Sequence, residues 1–341
     1  MTRTGPSSVS SSLNIGIIGA GVVSTEAHVP ILSSMENIDI KYVADIDEKQ
    51  VNSLARPNRI NGITIKNPSD IPDCDVALLA TPVGAREDYI EVFGERGTPV
   101  FAEKPFATTR SQHEKFLEEI EWPFCNYMRT KFGATEQLQT LAAAELLGPI
   151  QSITISESYP GKSGGSRTYM TDTKLSGGGI LMDHGVHTFS QLFHILPKAT
   201  ATVDKASIIT VDDFDIDVKS TISLNNNNRV VDVDFHLSTV EPVPTQMTLE
   251  FENGTVYTQH PDPDSNIKFS SKLSGSTSLE LASDETKAYS WKQAIYLMWV
   301  DFITKIQNGI NYDKEICTGY RVTKLVEEIY NKAKTTERIN P

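Results

Sequence analysis

The first third of this chain repeats one unit: a short apolar run, a turn, then a helical stretch. LNIGIIG (13–19) ends in glycine and leads into a helix-like segment reaching about Ser34. IDIKYVAD (38–45), ITI (63–65), DVALLAT (75–81) and TPVFAEKP (98–105) repeat the run. DEKQVNSLA (47–55) and REDYIEVFGER (86–96) carry helical spacing between them. A strand with one wet face alternates polar and apolar residues. These runs do not alternate, so both of their faces must be covered. Such strands separated by helices predict a parallel sheet between two helical layers.

After Pro105 the pattern changes. TRSQHEKFLEEI (109–120) reads as a helix, PFCNYM (123–128) as a further strand, and ATEQLQTLAAAELLG (134–148) as a helix with a glycine stop. From about 150 to 280 the alternation is of β type. NNNNR (225–229) and ENGT (252–255) have the composition of hairpin turns, which predicts an antiparallel sheet. Two helices, at about 290–308 and 317–336, close the chain. The expected division is a disordered tail over 1–12, a nucleotide-binding domain over 13–125, and a substrate and oligomerisation domain over 126–341. At 341 residues the chain is long enough for two domains.

Composition narrows the class of partner. The chain carries 44 acidic and 31 basic residues, a net charge of −13, which repels nucleic-acid phosphates. Its three cysteines, Cys74, Cys125 and Cys317, are far apart and form no C-x-x-C pair, which argues against a disulfide framework or a zinc site. The start, MTRTGPSSVSSS, lacks the apolar core of a secretory signal, and no apolar run is long enough to span a bilayer. These features lead us to expect a soluble cytoplasmic protein with no nucleic-acid or membrane partner.

IGIIGAGVVS places Gly19 and Gly21 between the first strand and the first helix. Gly19 permits the tight turn, and Gly21 lets the backbone approach a pyrophosphate drawn to the helix N-terminus. The third position of this fingerprint is Ser24, small enough for helix–strand packing. An acid ending the second strand would bind ribose hydroxyls, and Asp45 stands there, 24 residues beyond Gly21. Dinucleotide binding is the expectation, with Gly19, Gly21, Val22, Val23 and Asp45 at the site. A carboxylate at 45 repels the additional phosphate of NADP, so NAD is preferred and NADP possible.

VFAEKP (100–105) puts Glu103 and Lys104 at the carboxyl end of a parallel strand, where ligands of such sheets sit. A lysine there can stabilise a substrate oxyanion. Taken alone, the triplet is read more simply as a surface Glu–Lys pair.

GGGILMDHGVH (177–187) brings Asp183, His184 and His187 into an apolar segment. On an α-helix Asp183 and His187 share a face, and Gln191 and His194 continue it. From Gly177 to Leu196 there is no Lys, Arg or Glu, so this polar stripe is expected to face an internal pocket. His184 projects about 100° from Asp183 on a helix and the spacing lacks the H-x-x-x-H form, so no metal is expected here. His184 and His194 read as structural. In PGKSGGSR (160–167), Lys162 and Arg167 are candidates for an anionic part of a substrate, or are simply a basic surface loop. The GKS is not a phosphate loop, because position 156 is Ser156 rather than glycine.

Together, IGIIGAGVVSTEAHVPIL (15–32), ATPVGAREDY (80–89), EKP (103–105), GGGILMDHGVH (177–187) and the tail TGYRVTKLVEEIYNKAK (318–334) resemble the Gfo/Idh/MocA family of NAD(P)-dependent oxidoreductases. The resemblance implies an α/β fold: an N-terminal Rossmann domain and a C-terminal α+β domain with a large, open, mostly antiparallel sheet. It implies homodimers or homotetramers paired through that sheet. It implies hydride transfer between nicotinamide and a ring carbon of a sugar, sugar nucleotide, sugar acid or inositol. The catalytic residues it implies are Lys104, Asp183 and His187, with His187 as the acid/base, and Thr81, Pro82 and Glu103 join the cofactor contacts. It reads His28 and Pro30 as structural. Two positions depart from the family pattern: Val83 and Arg86 stand where Asn and His are usual. A non-catalytic dinucleotide-binding regulator and an NAD-using glycosidase are the alternative functions. A tetrapyrrole reductase fits the polar stripe poorly.

Overall fold

The computed structural model describes residues 12–160, 172–259, 263, 265–272, 279–280, 290–310 and 317–337. Lys162, Arg167 and the tail expected over 1–12, except Ser12, lie outside the described residues. The non-alternating runs form one six-stranded parallel sheet. Its strands are β1 (Leu13–Ile18), β2 (Ile38–Asp45), β3 (Gly62–Thr64), β4 (Val76–Leu79), β5 (Val100–Ala102) and β6 (Pro123–Cys125), in the order β3-β2-β1-β4-β5-β6. The order reverses between β1 and β4, which opens a crevice at their carboxyl ends. The helices α1 (Val29–Ser34), α2 (Glu48–Asn58), α3 (Glu87–Glu95) and α4 (Arg110–Glu119) connect these strands. Apolar clusters lie on both sheet faces, one around Ile15, Ile17, Leu78 and Phe101 and the other around Ile18, Leu79, Phe93 and Phe116.

The chain then forms α5 (Gly133–Ala144), β7 (Ile150–Ser158), α6 (Thr173–Ser176) and α7 (Val186–Ile195). Strands β8 (Thr200–Val211), β9 (Phe214–Asn226), β10 (Arg229–Ser238), β11 (Gln246–Phe251), β12 (Gly254–Gln259), β13 (Ile267–Ser271) and β14 (Leu279–Glu280) follow. Helices α8 (Trp291–Gln307) and α9 (Thr318–Lys332) and a last strand β15 (Ala333–Glu337) end the described chain. The second sheet has the order β14-β13-β12-β11-β7-β10-β9-β8-β15.

That sheet is mostly antiparallel, as expected, with two parallel seams. Strand β7 pairs parallel to β10, and β15 pairs parallel to β8. The cause of the first is that β7 precedes α6 and α7 and returns into the middle of the sheet rather than to a hairpin edge. The second arises because residues 333–337, expected as helix, leave α9 as an edge strand. The hairpin at 225–229 forms with Asn227 and Asn228 at φ 53° and 64°, the left-handed values that asparagine tolerates. A second turn of the same kind, Asp212–Asp213 at φ 48° and 65°, joins β8 to β9.

One face of the second sheet packs on α7 and α9 through Ile153, Phe189, Leu192, Phe235 and Leu325. The opposite face turns Thr154, Asp232 and Asp234 outward. Helix α8 joins the core of the first sheet, with Trp299 stacked on Phe101 at 4.0 Å between ring centroids. Among the described residues no helix is long and apolar enough to cross a membrane.

Candidate active site

A cleft of about 1240 Å³ lies outside the carboxyl ends of β1, β2, β4 and β5. It is lined by Gly19, Gly21, Val22, Val23 and Asp45 from the first crossover, and by Thr81, Pro82, Glu103 and Lys104 from the third and fourth. Asp183 reaches it from the second sheet's side. The structure therefore gathers every expected cofactor position, with Asp183, into one cavity.

The glycine turn is built as its spacing suggests. Gly19 has φ 104°, and a Cβ there would lie 2.6 Å from the Ala80 carbonyl oxygen. A Cβ on Gly21 would meet nothing within 4 Å, which leaves the open approach a pyrophosphate needs. At the third fingerprint position the Ser24 hydroxyl donates to the Gly19 carbonyl at 2.6 Å, so serine locks the turn from inside. The Asp45 carboxylate accepts the Ala20 N–H at 2.7 Å and the Asp47 N–H at 3.0 Å. Each oxygen retains a lone pair for a ribose hydroxyl.

Arg86, at the position usually held by His, is 1% exposed. Its guanidinium donates to the Thr81 carbonyl at 2.9 Å and to the Pro105 carbonyl, tying the loop after β4 to the loop after β5. Val83 is buried beside it on the cleft wall. The departure from the family pattern thus supplies a staple between two cofactor-side loops.

Glu103 does not form the surface pair that its triplet alone suggests. Its carboxylate accepts from His28 Nε2 at 2.8 Å and from the Asn126 amide at 2.7 Å. The Trp299 indole N–H, which can only donate, reaches His28 Nδ1 at 3.0 Å. His28 therefore carries its proton on Nε2 and gives it to Glu103. Burial alone would raise the Glu103 pKa, but the His28 and Asn126 contacts and the Lys104 charge outweigh it and hold the carboxyl below its usual range. Glu103 is an ionised strut beneath Lys104.

Lys104 Nζ crosses the cleft and donates at 2.6 Å to both the Asp183 carbonyl and the Asp183 Oδ1. Residues 79 apart in sequence thus form one ion pair. The expected regular helix is modified here. Leu181–Gly185 is a π-turn that precedes α7. Within it His184 Nε2 lies 3.4 Å from Asp183 Oδ2. The Asp183 carboxylate lies between Lys104 and His184.

His187 is 6% exposed, and its Nδ1 has no hydrogen-bond partner among the described residues. Burial, then the charges of Lys104 and Arg129, push its pKa well below the ordinary histidine value. Both causes favour the uncharged imidazole at His187. Gln191 and His194 do not extend a pocket stripe. Gln191 donates to Thr135 at 2.7 Å, and His194 lies 3.3 Å from Glu136, both on α5. Among the described residues, the group placed to hold a cation is Asp217, His236 and Glu241, and Lys219 already lies 3.2 Å from Glu241.

One part of the site is invisible to sequence pattern. Arg129 Nη1 lies 3.2 Å from both oxygens of Glu157, which is fully buried on β7. The Tyr159 hydroxyl donates to Glu157 at 2.6 Å, Thr188 also donates to it, and Arg129 Nη2 lies 3.5 Å from His184 Nδ1. The His184 ring packs on Tyr159 with centroids 3.9 Å apart and the rings tilted by 36°. Burial, opposed only in part by Asp183, pushes the His184 pKa down to about 4. A buried Arg–Glu pair thus stands directly behind the Lys104–Asp183 pair.

A parallel sheet with a glycine turn, joined to a mixed sheet that supplies an acid across the cleft, defines a two-part nicotinamide-dinucleotide fold. Residues 13–122 match the model of the oxidoreductase family with an NAD-binding Rossmann fold, and residues 135–260 match the Gfo/Idh/MocA C-terminal domain. The chain belongs to the Gfo/Idh/MocA family. It is similar to the rhizopine catabolism protein MocA of Rhizobium meliloti, 28% identical over 189 residues, 52% of this chain and 55% of that protein. It is also similar to inositol 2-dehydrogenase of Acidothermus cellulolyticus, 34% identical over 110 residues, 31% of this chain and 32% of that protein. The chain spans about half the length of the first of these curated relatives and a third of the second. Among solved structures, it superposes on KijD10, a 3-ketoreductase from Actinomadura kijaniata in complex with NADP and TDP-benzene. The TM-score is 0.79 at 15% identity, covering 96% of this chain and 100% of that one. Levoglucosan dehydrogenase with NADH and levoglucosan also gives a TM-score of 0.79 at 15% identity, covering 94% and 97%. At these identities the likeness speaks for the fold.

Proposed function

We propose that this protein is an NAD(P)-dependent oxidoreductase that passes hydride between nicotinamide and a ring carbon of a polyhydroxylated, sugar-like substrate. The observation that carries this reading is the Lys104–Asp183 pair at 2.6 Å on the cofactor cleft. Bound nicotinamide dinucleotide supplies the hydride acceptor. Gly19, Gly21, Val22, Val23, Asp45, Thr81, Pro82 and Glu103 are the residues that would hold it, and Asp45 favours NAD over NADP.

Lys104 is the oxyanion-stabilising donor, because an ammonium fixed at the cleft floor favours the alkoxide that forms as the hydroxyl loses its proton and becomes the carbonyl as hydride leaves. Asp183 accepts from a neighbouring substrate hydroxyl and holds Lys104 in line. His187, neutral and with a lone nitrogen, takes the hydroxyl proton when the substrate reaches it. Lys162 and Arg167 are the candidates for contacting an anionic substituent. Residues 13–125 act as the cofactor-binding part and 126–341 as the substrate and assembly part. The outward, polar face of the second sheet pairs copies into a homodimer or homotetramer, and the protein works in the cytoplasm.

Relatives that act on inositol, and a similar fold that holds levoglucosan, support the substrate class. The intact Lys104–Asp183 pair speaks against a regulator without catalysis. The test is a melting-temperature screen with NAD and NADP, followed by sugars, sugar acids, inositols and nucleotide sugars, since ligands of the folded state raise the transition. Hits are then assayed for NADH absorbance. A polyol hit with net NADH formation is the expected result. Release of a free sugar without net NADH would instead make the protein a glycosidase.

A further inference from the structure

The glycines at 177–179 lead into the segment that carries Asp183, and they rest on a buried carboxylate the mechanism above does not use. Asp215, at the start of β9, is 3% exposed. Its Oδ1 accepts the Gly179 N–H at 2.6 Å and the Tyr330 hydroxyl at 2.8 Å, and its Oδ2 accepts the Leu181 N–H at 2.7 Å. Three donors from two different elements thus converge on one side chain. The backbone fits as closely as the hydrogen bonds do. A Cβ on Gly179 would lie 2.2 Å from the Asp215 carbonyl oxygen, and one on Gly178 would lie 2.3 Å from the Tyr330 hydroxyl.

This contact lies one turn from the reacting groups. The Gly179 carbonyl accepts the Asp183 N–H at 3.1 Å, and Asp183 in turn presents both its carbonyl and its carboxylate to Lys104. The first N–H groups of a helix have no partner within it, and a carboxylate that takes two of them fixes where the helix begins. A π-turn adds a reason for external anchoring, because its wider winding is rarely held by local propensity.

We infer that Asp215, braced by Tyr330, is a positioning residue: it holds the Gly179–Leu181 backbone so that Asp183 meets Lys104 across the cofactor cleft. The inference builds on the oxidoreductase reading, since that reading gives Asp183 and Lys104 their importance. The geometry it describes is nevertheless measurable without any substrate. Asp215 reaches Asp183 through the Gly179–Leu181 backbone. Asparagine at this position keeps the shape but turns an N–H₂ group toward donors, so one of the three bonds becomes a repulsion. Alanine at Gly179 reaches the same displacement from the other side of the contact.

The test uses the full chain as the parent and as Asp215→Asn, Gly179→Ala and Tyr330→Phe. Two readouts are taken: the rate at which a small amine-reactive reagent labels Lys104, mapped by mass spectrometry, and kcat with a polyol found to be turned over. Lys104 labelling is expected to rise severalfold in Asp215→Asn and Gly179→Ala, and by less in Tyr330→Phe, which loses one donor of three. A displacement of about an ångström at a reacting group costs roughly 100-fold in rate. A kcat loss of that order is therefore expected in the first two variants, with NAD affinity near parental. Unchanged Lys104 labelling and kcat, even with a lowered melting temperature, would overturn the assignment. If Asp215→Asn does not fold, Gly179→Ala and Tyr330→Phe decide by the same two readouts. If the parent turns over no polyol, the oxidoreductase reading fails, and Lys104 labelling still decides whether Asp215 sets the pair.

Discussion

At the scale of single residues, the centre of the site is a 2.6 Å ion pair between Lys104 and Asp183. Removing the charge of Asp183 with Asp183→Asn leaves a side chain of the same shape that can still accept from the ammonium but no longer pairs its charge. We expect kcat to fall by about 10²–10³. NAD affinity, measured by titration, should stay near parental. His187 gives a second prediction. Its pKa lies well below 6.5, first through burial and then through nearby positive charge. Between about pH 6 and 8 it stays neutral and imposes no limb on kcat/KM. A limb near pH 6.5 that disappears in His187→Gln would show that His187 titrates in the ordinary range. The meeting of Lys104 and Asp183 on one cleft fits their place in short motifs with fixed spacing, whereas His187 is not among the residues that line it. His184, read as structural, packs against Tyr159 and lies 3.4 Å from the Asp183 carboxylate. Arg129 and Glu157 were not legible, since they stand 28 residues apart on different elements and an isolated charged residue reads as surface.

At the scale of elements, the turn after β1 separates two kinds of glycine. Gly19 is required by the fold, with positive φ and the Ala80 carbonyl in the way of any Cβ, whereas Gly21 faces open space. Gly19→Ala should lower the melting temperature and abolish the shift produced by NAD. Gly21→Ala should melt as the parent does yet lose most of that shift. A thermal-shift titration of both variants distinguishes the two roles. Arg86 belongs to this scale as well, because it joins two loops. Arg86→Met strands the Thr81 and Pro105 carbonyls, which should cost about 2–4 kcal/mol in a denaturant melt and weaken NAD binding. The first sheet was legible because unbroken apolar runs between helices leave few alternatives. The parallel seam between β7 and β10 was not, because adjacency across a sheet is decided by which strand the intervening helices leave uncovered. The same holds for β15, whose residues AKTTE carry no strand pattern and pair only because β8 offers an edge.

At the scale of the whole molecule, buried histidines link stability to pH. Burial depresses His113 to about 3, His184 to about 4, and His187 well below its usual value. Each has a folded pKa below the unfolded value of about 6.5, so the unfolded chain binds more protons as pH falls through that value. Stability is fully present above about pH 6.5 and declines toward about pH 4. His113, which is 1% exposed, contributes about 1.4 kcal/mol per pH unit in that window. Urea melts from about pH 7 to about pH 5 should show the decline, and His113→Gln should flatten it by about one proton. At this scale the change of pattern after Pro105 marked a two-part chain, and the two parts match two family models. The pattern did not show that α8, far along the chain, completes the core beneath β5 through Trp299 and Phe101.

If Lys104 and Asp183 form the catalytic pair proposed above, removing the ammonium stops turnover. Parent and Lys104→Met are each mixed with NAD and a polyol that raises the parent's melting temperature, and NADH absorbance is followed. The parent is predicted to form NADH and Lys104→Met to lose that rate by at least about 100-fold, with NAD titrations of the two proteins alike. Parental NADH formation in Lys104→Met would contradict the proposal.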